Sequence, residues 1–172
     1  CEELLDLLKC PLSKEHFVNP VILKKTGMTF ENAYIEDLLE FGESASLYTD
    51  SHTYLITKDD FISNYVVKNI VEFINSNSIC SDYKTDSIIR GFRKAPQIIA
   101  SSLCDNFLKL FKCPKSLKIF KNPYISTKSG YTYEFDESNK LVTNRGTEPD
   151  LKTEDKSYNV TSDDFKPNLK LK

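Results

Sequence analysis

Cysteine and histidine are the residues here with the most distinctive chemistry, because both can bind zinc. The chain has 172 residues and five cysteines that lie far apart: Cys1, Cys10, Cys80, Cys104 and Cys113. The two histidines, His16 and His52, have no partner at ligand spacing. A cross-braced zinc module needs about eight Cys and His ligands in close pairs. An odd number of scattered cysteines also argues against a disulfide framework. We therefore expect buried thiols, no metal and no other cofactor.

Carboxylates and amides near an Asp-Asp-Phe motif form a second candidate for chemistry. Asp59, Asp60 and Asn64 could ligate a metal, but they also lie at the start of a predicted helix, where such residues cap the first turn. We favour a network that braces loops and caps the helix, because carboxylates in a first turn interact favourably with the helix dipole. The polar residues expected to tie the loops together are Ser13, Asn19, Thr57, Asp59, Asp60 and Asn64.

Both groups occur twice, since the chain contains an internal repeat. Shifted by 103 positions, "CPLSKEHFVNPVILKKTGMTFE" aligns without gaps on "CPKSLKIFKNPYISTKSGYTYE", with 11 of 22 residues identical. With one further residue inserted, 49–64 aligns on 153–168, so Asp163, Asp164 and Asn168 repeat Asp59, Asp60 and Asn64. We expect a first module over 1–76, a helical connector over 77–105 and a second module over 106–172, whose last helix is cut short.

The elements that must position these residues follow from local patterns. Val21–Leu23 and Met28–Phe30 are predicted strands, joined by a turn at Gly27, which can adopt positive φ. Glu31–Phe41 and Asn64–Asn75 have the apolar spacing of amphipathic helices, with Ser63 as a candidate N-cap. The segment between them, up to Thr57, is predicted to be a loop. The fold class is therefore α+β, with ββα-α order in each module.

Composition excludes several classes of function. Hydrophobic residues make up 40% and charged residues 28% of the chain, as in ordinary globular proteins. The net charge of -2 favours neither nucleic acid nor an anionic membrane. No apolar run reaches the roughly 18 residues of a membrane helix. A short basic stretch, "RGFRK", could touch phosphate, although such stretches are more often solvated.

The first module resembles the U-box family. The motifs are Cys-Pro-hydrophobic-Ser, Asn-Pro-Val-Ile, Gly-x-Thr-Phe-Glu, Ile-Glu-x-Leu-Leu and Phe-Ile-x-Asn-Tyr, in this order. The resemblance implies a zinc-free, RING-like fold and a ubiquitin-protein ligase that forms no covalent intermediate and has no catalytic residue of its own. Two U-boxes in one short chain resemble effectors that intracellular bacteria such as Legionella inject into host cells. The expected location is then the host cytoplasm; without secretion it is the bacterial cytoplasm.

The resemblance implies that the first module binds a ubiquitin-conjugating enzyme charged with ubiquitin. The contact positions in this sequence are Leu12, Lys14, Leu38, Tyr48, Asp50, Ser51 and Thr53. Leu12 and Leu38 could instead be core leucines, and both alternatives stay open. Thr53 occupies a position where the family often has an arginine that braces ubiquitin, so the loop departs from the family pattern.

The second module departs further from the family. Lys115 replaces Leu12, and the helix segment "FDESNKLVTNRG" is polar. An ammonium group is unfavourable in an apolar contact. We expect the second module to bind a protein substrate or to support the fold. The alternative is that the whole chain is an inactive adaptor of U-box fold.

Overall fold

The computed structural model describes residues 6–40, 42–49, 52–77, 105–144, 146–151 and 157–171. These residues form small antiparallel sheets and short helices, so the chain belongs to the α+β class. The predicted connector falls almost wholly in 78–104, outside the described residues. The same succession of elements occurs twice, and we call the two sets the first and second modules.

The first module consists of five short strands and two helices. Their bounds are β1 (Pro20–Leu23), β2 (Thr29–Glu31), α1 (Asn32–Leu39), β3 (Ala45–Tyr48), β4 (Thr53–Ile56), β5 (Phe61–Ser63) and α2 (Tyr65–Ser76). The central strand β1 pairs antiparallel with β2 and with β5, while β3 and β4 form a separate hairpin. The β1–β2 turn places Gly27 at φ 78, the left-handed conformation that glycine adopts without strain.

The second module repeats this order as far as the described residues extend. Its elements are β6 (Pro123–Ser126), β7 (Thr132–Glu134), α3 (Phe135–Asn144), β8 (Thr147–Pro149), β9 (Ser157–Asn159) and β10 (Phe165–Pro167). Strand β6 is central between β7 and β10, and β8 pairs with β9. A 3-10 turn precedes the last strand in each module, at Lys58–Asp60 and Ser162–Asp164.

The structure corrects three expectations about local structure. The segment predicted as a loop up to Thr57 contains the β3–β4 hairpin, in which only Leu47 and Ile56 are buried. A strand, β5, also precedes α2, because it completes the sheet edge on β1. The N-cap of α2 is Asn64, whose side-chain oxygen accepts from Val67 N, rather than Ser63.

Each module has its own core, and the second is more polar. Leu23, Phe30 and Leu47 are buried in the first core. The repeat and the hairpin registers put Ser126, Tyr133 and Glu148 at the corresponding places, and all three are fully buried. The second core therefore has hydroxyl and carboxyl groups where the first has hydrocarbon.

The modules contact each other through equivalent residues. A Cβ added to Gly27 would lie 2.4 Å from the carbonyl oxygen of Pro167, and one added to Gly130 would lie 2.3 Å from that of Ser63. The rings of Tyr65 and Tyr131 also pack against each other in a tilted arrangement, with centroids 5.2 Å apart. Because each module offers the same turn to the other's last strand, the two are related by an approximate twofold axis.

Candidate functional site

The Cys-Pro loop of the first module is a tight, internally bonded turn. Cys10 N–H donates to the carbonyl of Glu15 at 2.8 Å, and Lys14 N–H donates to the carbonyl of Cys10 at 3.0 Å. Lys14 adopts φ 63, and its equivalent Leu117 adopts φ 57. Cys10 itself is completely buried, and its sulfur accepts a hydrogen bond from Glu31 N–H at 3.4 Å. The thiol therefore belongs to the core, and the loop holds Leu12 at its turn.

Leu12 and Leu38 are both half-buried. Each packs against the first core and keeps part of its side chain accessible to solvent. Both leucines thus lie at the boundary between core and surface. This position is intermediate between the core leucine and the exposed contact residue that the sequence left open. Lys14, two residues after Leu12, is exposed.

The β3–β4 hairpin carries the remaining predicted contact residues. Tyr48 is 70% exposed and pairs across the hairpin with the exposed Thr53. Below the hairpin turn, Thr49 N–H donates to the carbonyl of His52 at 2.9 Å. Asp50 and Ser51 lie outside the described residues. An exposed aromatic ring at the end of a hairpin is a common protein-contact feature.

The second module shows how loop, helix and hairpin come together. A groove of about 610 Å³ is lined by residues from all three, including Lys115, Leu141 and Pro149. The repeat pairs Lys115 with Leu12 and Leu141 with Leu38, and the hairpin registers pair Pro149 with Tyr48. From the repeat, we expect Leu12, Leu38 and Tyr48 to lie on one surface of the first module, and we call this expected surface the first groove.

Glu31 is the main polar tie beneath the first groove. Its carboxylate accepts hydrogen bonds from the backbone N–H groups of Val18, at 2.7 Å, and Asn19, at 3.1 Å. Glu134 does the same for Lys121 and Asn122, at 2.8 Å each. The sequence analysis did not include Glu31 among the residues that connect loops. Its identity in both copies, at the end of the repeated segment, could have indicated this role. The glutamate fixes the strand end to the Cys-Pro loop.

A capping box ties the loop before β5. Asp60 Oδ2 accepts from Thr57 N–H at 2.9 Å and from the Thr57 hydroxyl at 3.2 Å, and the Asp60 carboxylate pairs with Lys25 at 3.1 Å. Burial acts to raise the pKa of Asp60, but the hydrogen bonds from Thr57 and Lys25 outweigh it and lower the pKa. The charged form of Asp60 is therefore the one that the fold stabilises. Lys25 is a second tie that the sequence did not reveal.

The other predicted ties have different roles. Asn64 is fully buried, and its amide donates to the Thr29 hydroxyl at 3.0 Å. The Asn19 side-chain oxygen accepts from Lys68 Nζ at 3.1 Å. Ser13 accepts a long hydrogen bond, 3.4 Å, from Glu15 N–H. Asp59 acts through its backbone carbonyl, which accepts from Lys24 Nζ at 2.5 Å.

The chemistry available to this surface is binding. Within the described ranges, no three His, Cys, Asp or Glu residues are grouped so that they could hold a metal ion. Every helix in those ranges is too short or too polar to cross a bilayer. The exposed tyrosine and half-buried leucines suit contact with a folded partner protein. No protein-family model and no curated protein matches the chain.

Proposed function

We propose that the chain is a U-box type ubiquitin-protein ligase whose first groove binds a ubiquitin-conjugating enzyme. One observation carries the proposal: Glu31, Asp60 and Asn64 brace an α+β module through hydrogen bonds, and this module carries an exposed Tyr48 and half-buried Leu12 and Leu38. This is the arrangement expected of a zinc-free RING-like fold. A protein of the tandem type would act as a bacterial effector in the host cytoplasm.

The proposed mechanism is orientation of a bound partner. The first groove would hold the conjugating enzyme, with its thioester-linked ubiquitin folded back, so that a substrate lysine attacks the thioester carbonyl. The cysteine thiolate of the conjugating enzyme leaves, and an amide bond forms on the lysine. Restricting the thioester to reactive conformations lowers the entropic part of the barrier, so the ligase needs no acid, base or nucleophile of its own.

Autoubiquitination with a panel of conjugating enzymes tests the proposal. We expect wild type to build ubiquitin chains with at least one enzyme and Leu12→Glu to lose this activity, because a carboxylate would enter an apolar contact. Leu7→Glu is the matched control, since Leu7 is 60% exposed and lies outside the groove. Equal activity of wild type and Leu12→Glu, or no activity with any enzyme, would overturn the proposal.

The second candidate function is a non-catalytic adaptor of the same fold. It is favoured by Thr53, which stands at the position of the ubiquitin-bracing arginine, and by Lys115 in the second module. An adaptor would still bind a partner through the first groove. Binding of a conjugating enzyme without chain formation would select this function over the ligase.

A further inference from the structure

The groove of the second module that is lined by Lys115, Leu141 and Pro149 is called the second groove here, and the loop that borders it carries an unusual charge pattern. Lysines occur at every third position, with no acidic residue among them: Lys112, Lys115, Lys118 and Lys121. All four side chains are exposed. The corresponding residues of the first module are Lys9, Leu12, Glu15 and Val18. Three of the four positive charges are therefore specific to the second module.

Exposed apolar side chains alternate with these lysines. Leu117 is 71% exposed and Ile119 is 51% exposed, and both lie between the charged positions. The first module has Lys14 and His16 at the equivalent places. Leu117 is also held in the left-handed conformation that leucine rarely adopts, at φ 57. The loop thus displays leucine and isoleucine to solvent among positive charges.

Lys115 brings this charge into the groove. The other groove lysine, Lys140, pairs with Glu137 at 2.7 Å, which balances both of these charges. Lys115 forms no ion pair with a carboxylate of the described residues. Leu141 and Pro149 contribute apolar surface to the same groove. Among the described residues that line the groove, one positive charge is therefore not balanced by a carboxylate, and it lies beside an apolar wall.

We propose that the second groove and its lysine loop bind an extended acidic segment of a partner protein, in which carboxylates alternate with apolar side chains. The carboxylates would contact Lys115 and Lys118, and the apolar side chains would contact Leu117 and Leu141. Complementary charge accelerates the encounter and selects the partner. This site goes beyond the proposed ligase activity, and it can exist whether or not the first groove binds a conjugating enzyme.

A peptide fits these residues better than a nucleic acid does. Single-stranded nucleic acids bind where aromatic rings stack on the bases. The described residues that line the groove include no aromatic ring. The polar side chains of Asn144, Thr147 and Ser157 also line it and can donate hydrogen bonds to carboxylates or to a peptide backbone.

Fluorescence anisotropy of the full chain with a short labelled peptide tests the site. The probe alternates glutamate with leucine, and the reference peptide has glutamine in place of each glutamate. We expect saturable binding of the glutamate peptide only, weakened about tenfold in Lys115→Glu and in Lys118→Glu. Lys58→Glu is the matched control, because Lys58 is an exposed lysine of the first module, and it should leave binding within about twofold. Circular dichroism melts verify that each variant remains folded.

Three outcomes would overturn the inference. The first is equal affinity for the glutamate and glutamine peptides. The second is an equal loss of peptide affinity in Lys58→Glu and Lys115→Glu. The third is a single-stranded oligonucleotide that binds more tightly than the peptide and whose binding Lys115→Glu abolishes. The first would show that charge does not matter, and the second that only net charge matters. The third would assign the surface to a phosphate backbone. Autoubiquitination by Lys115→Glu should equal that of wild type, so failure here is distinguishable from failure of the ligase proposal.

Discussion

Asn64 and Asn168 lie face to face between the two modules, and each amide donates to the side-chain oxygen of the other at 3.4 Å. Both are completely buried. They are the same residue of the repeat, and each also donates to a threonine of its own sheet, Thr29 at 3.0 Å and Thr132 at 2.9 Å. One buried asparagine thus caps a helix, ties a sheet and joins the modules.

The first prediction concerns this asparagine. Asn64→Ala removes a helix cap, both hydrogen bonds between Asn64 and Asn168, and the hydrogen bond to the Thr29 hydroxyl. We expect it to lower the free energy of unfolding by about 2–3 kcal/mol. Asn32→Ala is the control, because the Asn32 amide donates to the Glu36 carboxylate at 2.9 Å in an exposed position. It should change stability by less than about 0.5 kcal/mol. Urea unfolding of both variants measures the difference, and equal losses would contradict it.

The second prediction concerns the close approach of the modules at Gly130. A Cβ there would lie 2.3 Å from the carbonyl oxygen of Ser63, and the residue has φ 77. Gly130→Ala should therefore cost about 3 kcal/mol, the sum of strain and displacement of the neighbouring strand. Gly146→Ala separates backbone strain from displacement of a neighbour. Gly146 has φ 60, but its Cβ would meet only one atom of the described residues, at 3.9 Å.

We expect Gly146→Ala to cost about 1 kcal/mol, the strain alone. Thermal unfolding of the two variants compares them directly. If Gly130→Ala were no worse than Gly146→Ala, the contact between the modules would not contribute to stability.

The sequence was sufficient for the repeat, the β1–β2 turn and both helices of the first module. Their signals are local, since Gly27 and the spacing of Ile35 and Leu38 are visible within a few residues. The β3–β4 hairpin was missed because each strand has a single buried residue, Leu47 or Ile56, and a single buried position does not produce the apolar alternation that predicts a strand.

The candidate surface could be predicted in part. The resemblance supplied Leu12, Leu38 and Tyr48; in the structure Tyr48 is exposed and both leucines are half-buried. The partners of Glu31 and Asn64 could not be predicted, because Val18 N–H and the Asn168 amide come close only after folding. A buried Glu148 was equally hidden, since only the register of the hairpin assigns it to the position of Leu47.

The third prediction concerns the polar core of the second module. Glu148 is fully buried, and it accepts hydrogen bonds from Ser126, at 2.5 Å, and Ser129. Burial raises its pKa, although those hydrogen bonds act in the opposite direction. A raised folded-state pKa favours folding at low pH, and this contribution is lost as the pH rises through that pKa.

Wild type should therefore lose stability between a pH below the ordinary glutamate range and neutral pH, and Glu148→Gln should lose less. Ser126→Leu/Glu148→Leu, which copies Leu23 and Leu47 of the first module, should be more stable at neutral pH by about 1–4 kcal/mol. Urea unfolding at both pH values measures each effect. A Glu148→Gln variant with the wild-type pH dependence would assign that dependence to other groups.

The fourth prediction concerns acid unfolding. Burial acts to raise the pKa of Asp164, but hydrogen bonds from Thr161 and the Lys128 charge outweigh it, so its pKa is lowered. The stabilisation is complete above the ordinary aspartate range and is lost as the pH falls through the lowered pKa. Asp164→Asn should cost about 1 kcal/mol at neutral pH and less in acid. The exposed neighbour variant, Asp163→Asn, should change stability by under about 0.5 kcal/mol.

The last prediction asks whether one residue decides which partner each groove takes. Leu12→Lys copies Lys115 into the first groove and should weaken conjugating-enzyme binding at least about tenfold, because an ammonium group would lose water in an apolar contact. The reverse change, Lys115→Leu, should remove acidic-peptide binding. We expect the double exchange not to restore conjugating-enzyme binding. The α3 face of the second groove still carries the Glu137–Lys140 ion pair, where the first module has Tyr34 and Asp37. Titration calorimetry of the three variants measures these affinities. If the double exchange restored conjugating-enzyme binding to within about threefold of wild type, position 12 alone would set the partner.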